Sequence, residues 1–185
     1  MITEQDKYSE CYKLKTYKLQ GARLQRVMVD NDGLEPGTTY LDVGCGRGEL
    51  VHAALRRGVK AKGLELVPYL CDGEKIINGN LSKLPFRKNE FDTVSCYDVI
   101  EHLPTAEVDQ ALSELFRVAK KRLILTTNNK ASTYQGMDLH LTRKPRDWWQ
   151  AKLEKRAESV SFSGYGRDEW HFDCVIKPSA IKPKQ

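Results

Sequence analysis

The sequence has no long hydrophobic run, no closely spaced cysteine pair and no apolar stretch behind basic residues at its start. Because a membrane helix needs about 20 apolar residues, we predict no membrane span, and the opening MITEQDKYSE predicts no secretory signal. The five cysteines are odd in number, and none of them forms a CxxC pair. Reduced, mostly buried thiols in a cytoplasmic protein are therefore expected.

The composition is that of an ordinary globular domain. The chain has 185 residues, of which 40% are hydrophobic and 30% are charged, which is enough for one domain with a full core. A net charge of +5 and a pI near 8.9 permit a nucleic-acid partner without requiring one. Nothing in the composition indicates an oligomeric state.

Strand and helix patterns alternate through most of the chain, which predicts a mostly parallel α/β sheet. Two alternating segments near the end, 158–164 and 170–178, predict an antiparallel hairpin. Strands are predicted at 38–43, 59–66, 75–79, 91–100 and 121–127, and helices at 7–30, 49–58, 106–120 and 148–158, the last two capped by Thr105 and Asp147.

The first predicted strand ends in YLDVGCGRG, where Asp42 precedes three alternating glycines, Gly44, Gly46 and Gly48. Ligands collect at the carboxyl ends of parallel strands, and glycines there let a ligand approach the backbone. Glu65, at the end of the second strand, can accept both hydroxyls of a ribose. Dinucleotide sites use GxGxxG and bind a pyrophosphate, which Asp42 would repel. S-adenosylmethionine carries an ammonium and a sulfonium group but no phosphate, so the charges favour it as the cofactor.

Five segments between residues 40 and 128 resemble, in order, the class I S-adenosylmethionine-dependent methyltransferases of the type 11 kind. They are YLDVGCGRG, GLEL, NGNLSKLPFRKNEFDTV, YDVIEHLP and ELFRVAKKRLILTT. The resemblance implies a Rossmann-like, doubly wound sheet with a C-terminal hairpin, in one domain over 1–185. Its expected parts are a helical cap at 1–36, a cofactor-binding core at 37–128, an acceptor-side segment with the hairpin at 129–178, and a frayed tail at 179–185.

The same resemblance implies a set of cofactor-binding residues. The turn from 42 to 48 would hold the methionine part, Glu65 the ribose, and Asn80 and Leu81 would flank the adenine. Asp98 would face the methyl-transfer pocket. The full implied set is Asp42, Gly44, Cys45, Gly46, Gly48, Glu65, Leu66, Asn80, Leu81, Tyr97 and Asp98.

Three departures from the family pattern are present. Asn80 stands where an aspartate is frequent, and its amide can both donate to and accept from an adenine edge. Residues 120–122, KKR, replace the usual Pro-Gly-Gly before the fifth strand. The segment 67–74 is too short for the customary helix, so a partner or the N-terminal helix is expected to cover that side of the sheet.

His102, in DVIEHLP after the fourth strand, is the first candidate for catalysis. Methyl transfer is an in-line displacement, and it needs a base only when the acceptor is a hydroxyl or an ammonium group. An imidazole titrates near neutral pH, which suits that role. The alternative is a structural histidine that orders the following loop. Asp98 and His140 complete the predicted catalytic set.

DVIEHLP, TTNN and a later histidine also resemble, more weakly, the RNA 3′-terminal 2′-O-methyltransferases. That family holds a divalent metal with two acids and two histidines, which match Asp98, Glu101, His102 and His140. Asp98 is one carbon shorter than the glutamate of that family. Because the same pattern occurs in small-molecule methyltransferases, where the histidine orders a loop, we predict no metal and keep Glu101, His102 and His140 as the alternative.

The segment 134–156 follows the fifth strand and is expected to form a wall of the acceptor site. Trp148 and Trp149 could stack on a base or sugar, or one of them could belong to the core, since neighbouring helical residues cannot both point inward. The sequence favours a small-molecule acceptor methylated on oxygen or nitrogen. An RNA or other nucleic-acid acceptor is the second hypothesis, and a non-catalytic module that binds the cofactor is the third.

Overall fold

The computed structural model describes residues 3–14, 34–164 and 168–177. The predicted helix over 7–30 is found from its beginning to Lys13, and its continuation through 15–33 lies outside the described residues. The predicted tail at 179–185 lies outside them as well. Within these ranges, no helix is both long enough and apolar enough to cross a membrane.

Nine strands and four α-helices are present in the described ranges, with three short 3-10 turns at Pro68–Leu70, Ile100–His102 and Thr105–Glu107. The helices are α1 (Glu4–Lys13), α2 (Glu49–Arg56), α3 (Val108–Val118) and α4 (Arg146–Glu154). The strands are β1 (Thr39–Val43), β2 (Lys60–Glu65), β3 (Ile76–Asn78), β4 (Phe91–Tyr97), β5 (Ala119–Asn128), β6 (Thr133–Tyr134), β7 (Met137–Asp138), β8 (Ala157–Gly164) and β9 (Glu169–Ile176).

Seven strands form one sheet in the order β3-β2-β1-β4-β5-β9-β8, and β6 pairs with β7 in a small separate sheet. Strands β1 to β5 run parallel, whereas β9 is antiparallel to both β5 and β8. The predicted mostly parallel sheet with a C-terminal hairpin is confirmed. Because the order reverses between β1 and β4, the carboxyl ends of these two strands border a crevice of the kind in which such sheets bind ligands.

The central strands have nearly continuous apolar sequences because they are buried. Val94 and Cys96 on β4 are fully buried, as are Leu123, Ile124 and Leu125 on β5. A strand that is covered on both faces buries its side chains on both sides, so apolar and polar residues do not alternate along it. Helix α3 packs its apolar stripe against the same core through Val108, Ala111, Leu112, Leu115 and Val118.

Two predicted helix caps are wrong. Thr105 lies in a 3-10 turn before α3, and its hydroxyl hydrogen-bonds to the Thr142 hydroxyl at 3.0 Å rather than to the helix. Helix α4 begins after Pro145, which is the N-cap residue and has an extended conformation with φ −65° and ψ 159°. Asp147 lies inside the first turn, where a carboxylate is favourable, and it pairs with Arg146 at 2.6 Å.

The five cysteines are free thiols, and four of them are buried: Cys11, Cys45, Cys96 and Cys174. This confirms that the cysteines are mostly buried, as expected. The segment 67–74 contains only a 3-10 turn at Pro68–Leu70, also as expected. Tyr69 from this turn donates a hydrogen bond to the Ser9 carbonyl, so α1 lies against this segment.

Candidate active site

A cavity of about 780 Å³ opens at the carboxyl ends of β1, β2 and β4, and α1 lies across it. Its volume is typical of ligand sites. One end lies at the glycine turn after β1, and the other lies between His102 and His140. Most of the predicted site residues line it: Asp42, Gly44, Cys45, Gly46, Glu65, Leu66, Asn80, Leu81, Tyr97, Asp98, His102 and His140.

The glycine turn lines the cavity at a point where a side chain of α1 approaches its backbone closely. Gly46 has a φ of +56°, and a Cβ at this position would lie 2.6 Å from the Tyr12 hydroxyl of α1. Only glycine allows both this conformation and this close approach. Gly48 does not line the cavity; it precedes α2 and packs against Ile76 and His52.

Asp42 is buried at the floor of the cavity, at the end of a hydrogen-bond chain. Ser95 Oγ donates to Asp42 Oδ1 at 2.7 Å, and Tyr40 Oη lies 2.6 Å from Ser95 Oγ. Because the serine proton is directed at the carboxylate, the tyrosine must donate to the serine. Burial raises the pKa of Asp42 to about 7; the Ser95 hydrogen bond opposes this shift, and the nearby Glu65 and Glu49 carboxylates add to it.

Glu65 joins the end of β2 to the glycine turn. Its Oε2 accepts a hydrogen bond from the Gly46 N–H at 2.8 Å, and its Oε1 accepts from Leu66 and Val67 at 2.9 and 3.0 Å. Burial raises the pKa of this carboxyl, while the three backbone donors lower it. The carboxylate lines the cavity where a ribose is predicted to bind.

Asn80 and Leu81 lie beyond β3, at the edge of the cavity. Asn80 Oδ1 accepts from the Ser82 N–H at 2.8 Å, so the side chain already shapes the local turn. Its Nδ2 group has N–H donors that can hydrogen-bond to an adenine edge. Leu81 is 6% exposed and contributes an apolar surface.

Asp98 marks the end of β4 with an uncommon backbone conformation. Its φ is +53°, in the left-handed region, so the predicted strand over 91–100 stops at Tyr97. Thr126 on the neighbouring strand holds it, donating to Asp98 Oδ1 at 3.0 Å and accepting from Asp98 N at 2.9 Å. Strained residues of this kind concentrate at functional sites.

The structure brings His140 next to Glu101 and His102, which are neighbours in sequence but lie far from His140 along the chain. One ligand atom from each lies within 4.8 Å of the others, and the two imidazole centroids are 4.8 Å apart. Glu101 is fully buried, and Asn128 Nδ2 donates to its Oε1 at 3.2 Å. His102 Nδ1 lies 2.8 Å from the Leu139 carbonyl and His140 Nδ1 lies 2.7 Å from the Lys130 carbonyl. A carbonyl can only accept, so both rings carry their proton on Nδ1 and present Nε2 for chemistry.

The tryptophan pair does not line the cavity, and of the two alternatives the structure has the one in which a tryptophan belongs to the core. Trp149 is fully buried in the core, and Trp148 packs against it edge to face at 4.9 Å. Lys152 Nζ lies 4.6 Å from the Trp148 ring centroid. The segment 134–156 was expected to form a wall of the acceptor site. Only its first part lines the cavity, through Leu139 and His140.

Helix α1 supplies lining residues that the sequence-based site omitted. Tyr8 and Tyr12 both face the cavity, and Tyr8 Oη contacts His102 Nδ1. Because they are four residues apart, the two side chains lie on the same face of the helix, and this could be predicted from the sequence. Which part of the protein that helix face covers could not be predicted from the sequence.

The cofactor end of the cavity fits S-adenosylmethionine. The buried carboxylates of Asp42 and Glu65 suit a ligand with an ammonium group and a ribose. A pyrophosphate would meet both carboxylates. Among the described lining residues, Arg47 is the only lysine or arginine.

Residues 41–125 match the family model described as a methyltransferase domain. The chain is 32% identical over 113 residues to a sterol 24-C-methyltransferase from Gibberella zeae, an alignment covering 54% of this chain and 29% of that protein. It is 30% identical over 148 residues to a ubiquinone biosynthesis O-methyltransferase from Paracidovorax citrulli, covering 69% and 62%. The chain thus spans less than two thirds of the length of these curated relatives.

Among solved structures, the magnesium protoporphyrin IX methyltransferase from Synechocystis with bound S-adenosylhomocysteine has the same fold. The TM-score is 0.61 at 18% identity, covering 96% of this chain and 89% of that one. Residues 41–125 are therefore similar to methyltransferase domains, and the chain shares its fold with a methyltransferase of known structure. The comparisons lend no support to the weaker resemblance to RNA 3′-terminal methyltransferases.

Proposed function

We propose that this protein transfers a methyl group from S-adenosylmethionine to an oxygen or nitrogen atom of a small-molecule acceptor. The observation that carries the proposal is a cavity of about 780 Å³ whose lining includes the glycine turn, His102, His140 and residues of α1. Cofactor and acceptor would share one covered space. A covered space of this size suits a small molecule better than a polymer.

The charges around the cavity support the same choice. Glu4, Asp98 and Glu107 line it, and the one lining cation of the described residues, Arg47, lies at the glycine turn. Arg47 Nη2 also donates to the Tyr12 carbonyl at 2.7 Å. Nucleic-acid sites rely on lysines and arginines that meet phosphates. An acceptor without phosphate groups therefore fits this lining best.

When bound, S-adenosylmethionine supplies an electrophilic methyl group. The chain contributes by holding the acceptor atom in line and taking its proton. With the His102 Nδ1 proton directed at the Leu139 carbonyl, Nε2 carries the lone pair that can remove a proton from an acceptor hydroxyl or ammonium group. Asp98, at the end of β4 on the same cavity, is placed to orient the acceptor.

A nucleic-acid acceptor is the second candidate, and one observation favours it. The ligand atoms of Glu101, His102 and His140 lie close enough to suit a divalent ion, and mixed carboxylate and imidazole ligands suit Mn²⁺ or a similar metal. Such an ion would bind the two hydroxyls of a terminal ribose. This candidate predicts metal-dependent methylation of RNA 3′ ends.

The experiment that separates the candidates follows labelled methyl transfer from S-adenosylmethionine into fractionated cell extract. We expect label in the small-molecule fraction with the wild-type protein and with His52→Gln, whose imidazole is exposed on α2 outside the cavity. We expect none with His102→Gln. Label confined to RNA would support the second candidate and reject the first. Absence of label in every fraction, with cofactor binding intact, would indicate a non-catalytic binding module.

A further inference from the structure

Helix α1 brings a carboxylate to the cavity with one oxygen left unbonded. Glu4 is the first residue of α1, and its side chain lines the cavity. Its Oε1 pairs with Lys7 Nζ at 2.7 Å. Its Oε2 is buried, and no group in the described part of the chain donates a hydrogen bond to it. Buried polar atoms of folded proteins are nearly always hydrogen-bonded, so this oxygen is a place where a bound molecule can donate.

Lys7 fixes the orientation of this carboxylate. The lysine is only 5% exposed, and its Nζ also donates to the Asp138 carbonyl at 3.0 Å. An ammonium group has donors and no acceptor, so it holds Glu4 through Oε1 and leaves Oε2 available. Lys7 is not among the residues that line the cavity, whereas Glu4 is. The negative partner of this ion pair is therefore the one that a bound molecule meets.

The position of Glu4 along α1 places it at the His102 end of the cavity. Tyr12, late in the helix, approaches the glycine turn, where its hydroxyl would lie 2.6 Å from a Cβ at Gly46. Tyr8, one turn earlier, contacts His102 through its hydroxyl. Glu4 lies one further turn toward the start of the helix and on the same face as Tyr8. It is therefore on the acceptor side of the site rather than the cofactor side.

The charges of the lining favour a positively charged donor for this oxygen. Arg47, the one lysine or arginine among the described lining residues, donates to the Tyr12 carbonyl at 2.7 Å. Tyr12 is eight residues from Glu4, or about 12 Å along a helix. Asp98 and Glu107 line the same cavity and add negative charge. Because hydrogen bonds between opposite charges are stronger than neutral ones, an ammonium group suits Glu4 better than a hydroxyl, and an anion would be repelled.

We propose that Glu4 binds the acceptor, and that the acceptor is a small molecule carrying a positively charged amine. The inference rests on the proposed function, since it names the class of acceptor for that same site. Glu4 contributes binding and orientation: its Oε2 accepts a hydrogen bond from the ammonium group and so places the rest of the acceptor beside His102. Helix α1 is then part of the acceptor site as well as its cover.

A pair of matched variants on α1 isolates this oxygen. In Glu4→Gln the shape of the side chain is kept. Because Lys7 requires an oxygen, the amide nitrogen takes the place of Oε2 and presents donors where an ammonium group needs an acceptor. Glu10→Gln is the control, since Glu10 pairs with Lys13 at the same spacing on the same helix. Glu10 is 55% exposed and is not among the lining residues, and neither change touches the capping box of α1.

The first measurement is binding, without turnover. Nuclear magnetic resonance follows the backbone amides of α1 in protein saturated with S-adenosylhomocysteine, titrated with n-butylammonium chloride or sodium butyrate at equal ionic strength. We expect butylammonium to shift these signals in the wild type and in Glu10→Gln, and butyrate to leave them unchanged. In Glu4→Gln we expect the affinity for butylammonium to fall roughly 10-fold, the loss of one charge-assisted hydrogen bond.

The second measurement is the charge of the methylated product. Labelled methyl transfer into the small-molecule fraction of cell extract is followed by chromatographic removal of unreacted cofactor and by cation exchange at pH 7. We expect the labelled product to be retained by the exchanger. With dilute extract, Glu4→Gln should transfer roughly 10-fold less label than the wild type. The difference should shrink as the extract is concentrated, because the change weakens acceptor binding rather than the chemical step.

The two measurements separate this inference from the proposed function. Equal binding of butylammonium and butyrate, or equal butylammonium binding by Glu4→Gln and the wild type, would overturn the inference. A labelled product that the exchanger does not retain would also overturn it, while methyl transfer to a small molecule would stand. Butylammonium binding that depends on Glu4, with no label in any fraction, would keep the cation site and reject the proposed function.

Discussion

The Glu65 carboxylate accepts a hydrogen bond from the Gly46 N–H at 2.8 Å, which fixes the end of β2 against the glycine turn after β1. Two more backbone donors, from Leu66 and Val67, hold the other carboxylate oxygen. The predicted ribose acceptor is therefore also the clamp that shapes the methionine side of the site. A change at Glu65 should affect both halves of the cofactor.

Glu65→Ala should weaken cofactor binding by ~1.5–3 kcal/mol, because hydrogen bonds to a charged acceptor are lost. Isothermal calorimetry with S-adenosylmethionine or S-adenosylhomocysteine measures this loss. NAD should give no heat with either protein. Unchanged affinity of the variant would rule out the ribose assignment of Glu65.

Cofactor affinity should rise as pH increases from about 6 to 8. The pKa of Asp42 is raised to about 7 by burial, so the free protein gains the carboxylate that an ammonium group requires over this range. The folded protein holds this proton at a pH where the unfolded chain has lost it. The Asp42 contribution to stability is therefore most favourable below the unfolded pKa, near 4, and declines as pH rises through about 7.

Asp42→Asn separates these two effects. At pH 8 we expect it to raise the free energy of unfolding by roughly 1–3 kcal/mol, because a buried charge is removed. It should also weaken cofactor binding by roughly 10-fold or more, because the ligand ammonium loses its partner. Thermal melts and calorimetry at pH 5 and pH 8 test both. A variant that binds as well as wild type at pH 8 would contradict the role of Asp42.

The chain of hydroxyls behind Asp42 should set the pH at which binding is gained. Ser95 donates to the carboxylate at 2.7 Å, so Ser95→Ala should move the midpoint of the affinity–pH curve upward. Tyr40→Phe leaves that hydrogen bond in place and should cause a smaller upward shift. An equal or larger effect of Tyr40→Phe would show that the serine is not the direct donor in solution.

Gly46→Ala should reduce cofactor affinity at least ~10-fold, since its Cβ would lie 2.6 Å from Tyr12 Oη and the backbone would be strained at φ +56°. Gly37→Ala is the matched control. Gly37 also has a positive φ, +85°, but a Cβ there meets nothing within 4 Å. It should lower stability by ~1 kcal/mol and leave binding unchanged. Equal binding losses in both variants would attribute the effect to backbone strain alone.

Methyl transfer is expected to persist in excess EDTA. His102 and His140 each donate from Nδ1 to a backbone carbonyl, and Asn128 holds Glu101, so the cluster has hydrogen-bond partners without an ion. The three ligand atoms within 4.8 Å of one another nevertheless make this a direct test. Loss of activity in chelator, restored by Mn²⁺ or Mg²⁺, would assign a metal to Glu101, His102 and His140.

The sequence by itself determined which residues meet at the glycine turn. Asp42 and Gly46 belong to one short turn, and Glu65 lies at the end of the next strand, so their meeting needs only that two neighbouring strands pair in parallel. Alternating strand and helix patterns predicted that pairing, because the apolar periodicity that forms each element also buries it. The same local logic placed Asp98 at the end of β4.

The tertiary structure alone decided the acceptor end. His140 and Tyr8 each contact His102 only because segments that are far apart in sequence pack together. The sequence does not distinguish Trp148 from Trp149. In the structure α4 packs on the hairpin, so that Trp149 lies in the core and neither ring lines the cavity. The spacing of apolar residues in the sequence predicts which residues are buried. A site formed between distant loops depends instead on which surfaces come into contact, and the packing of the whole chain decides this.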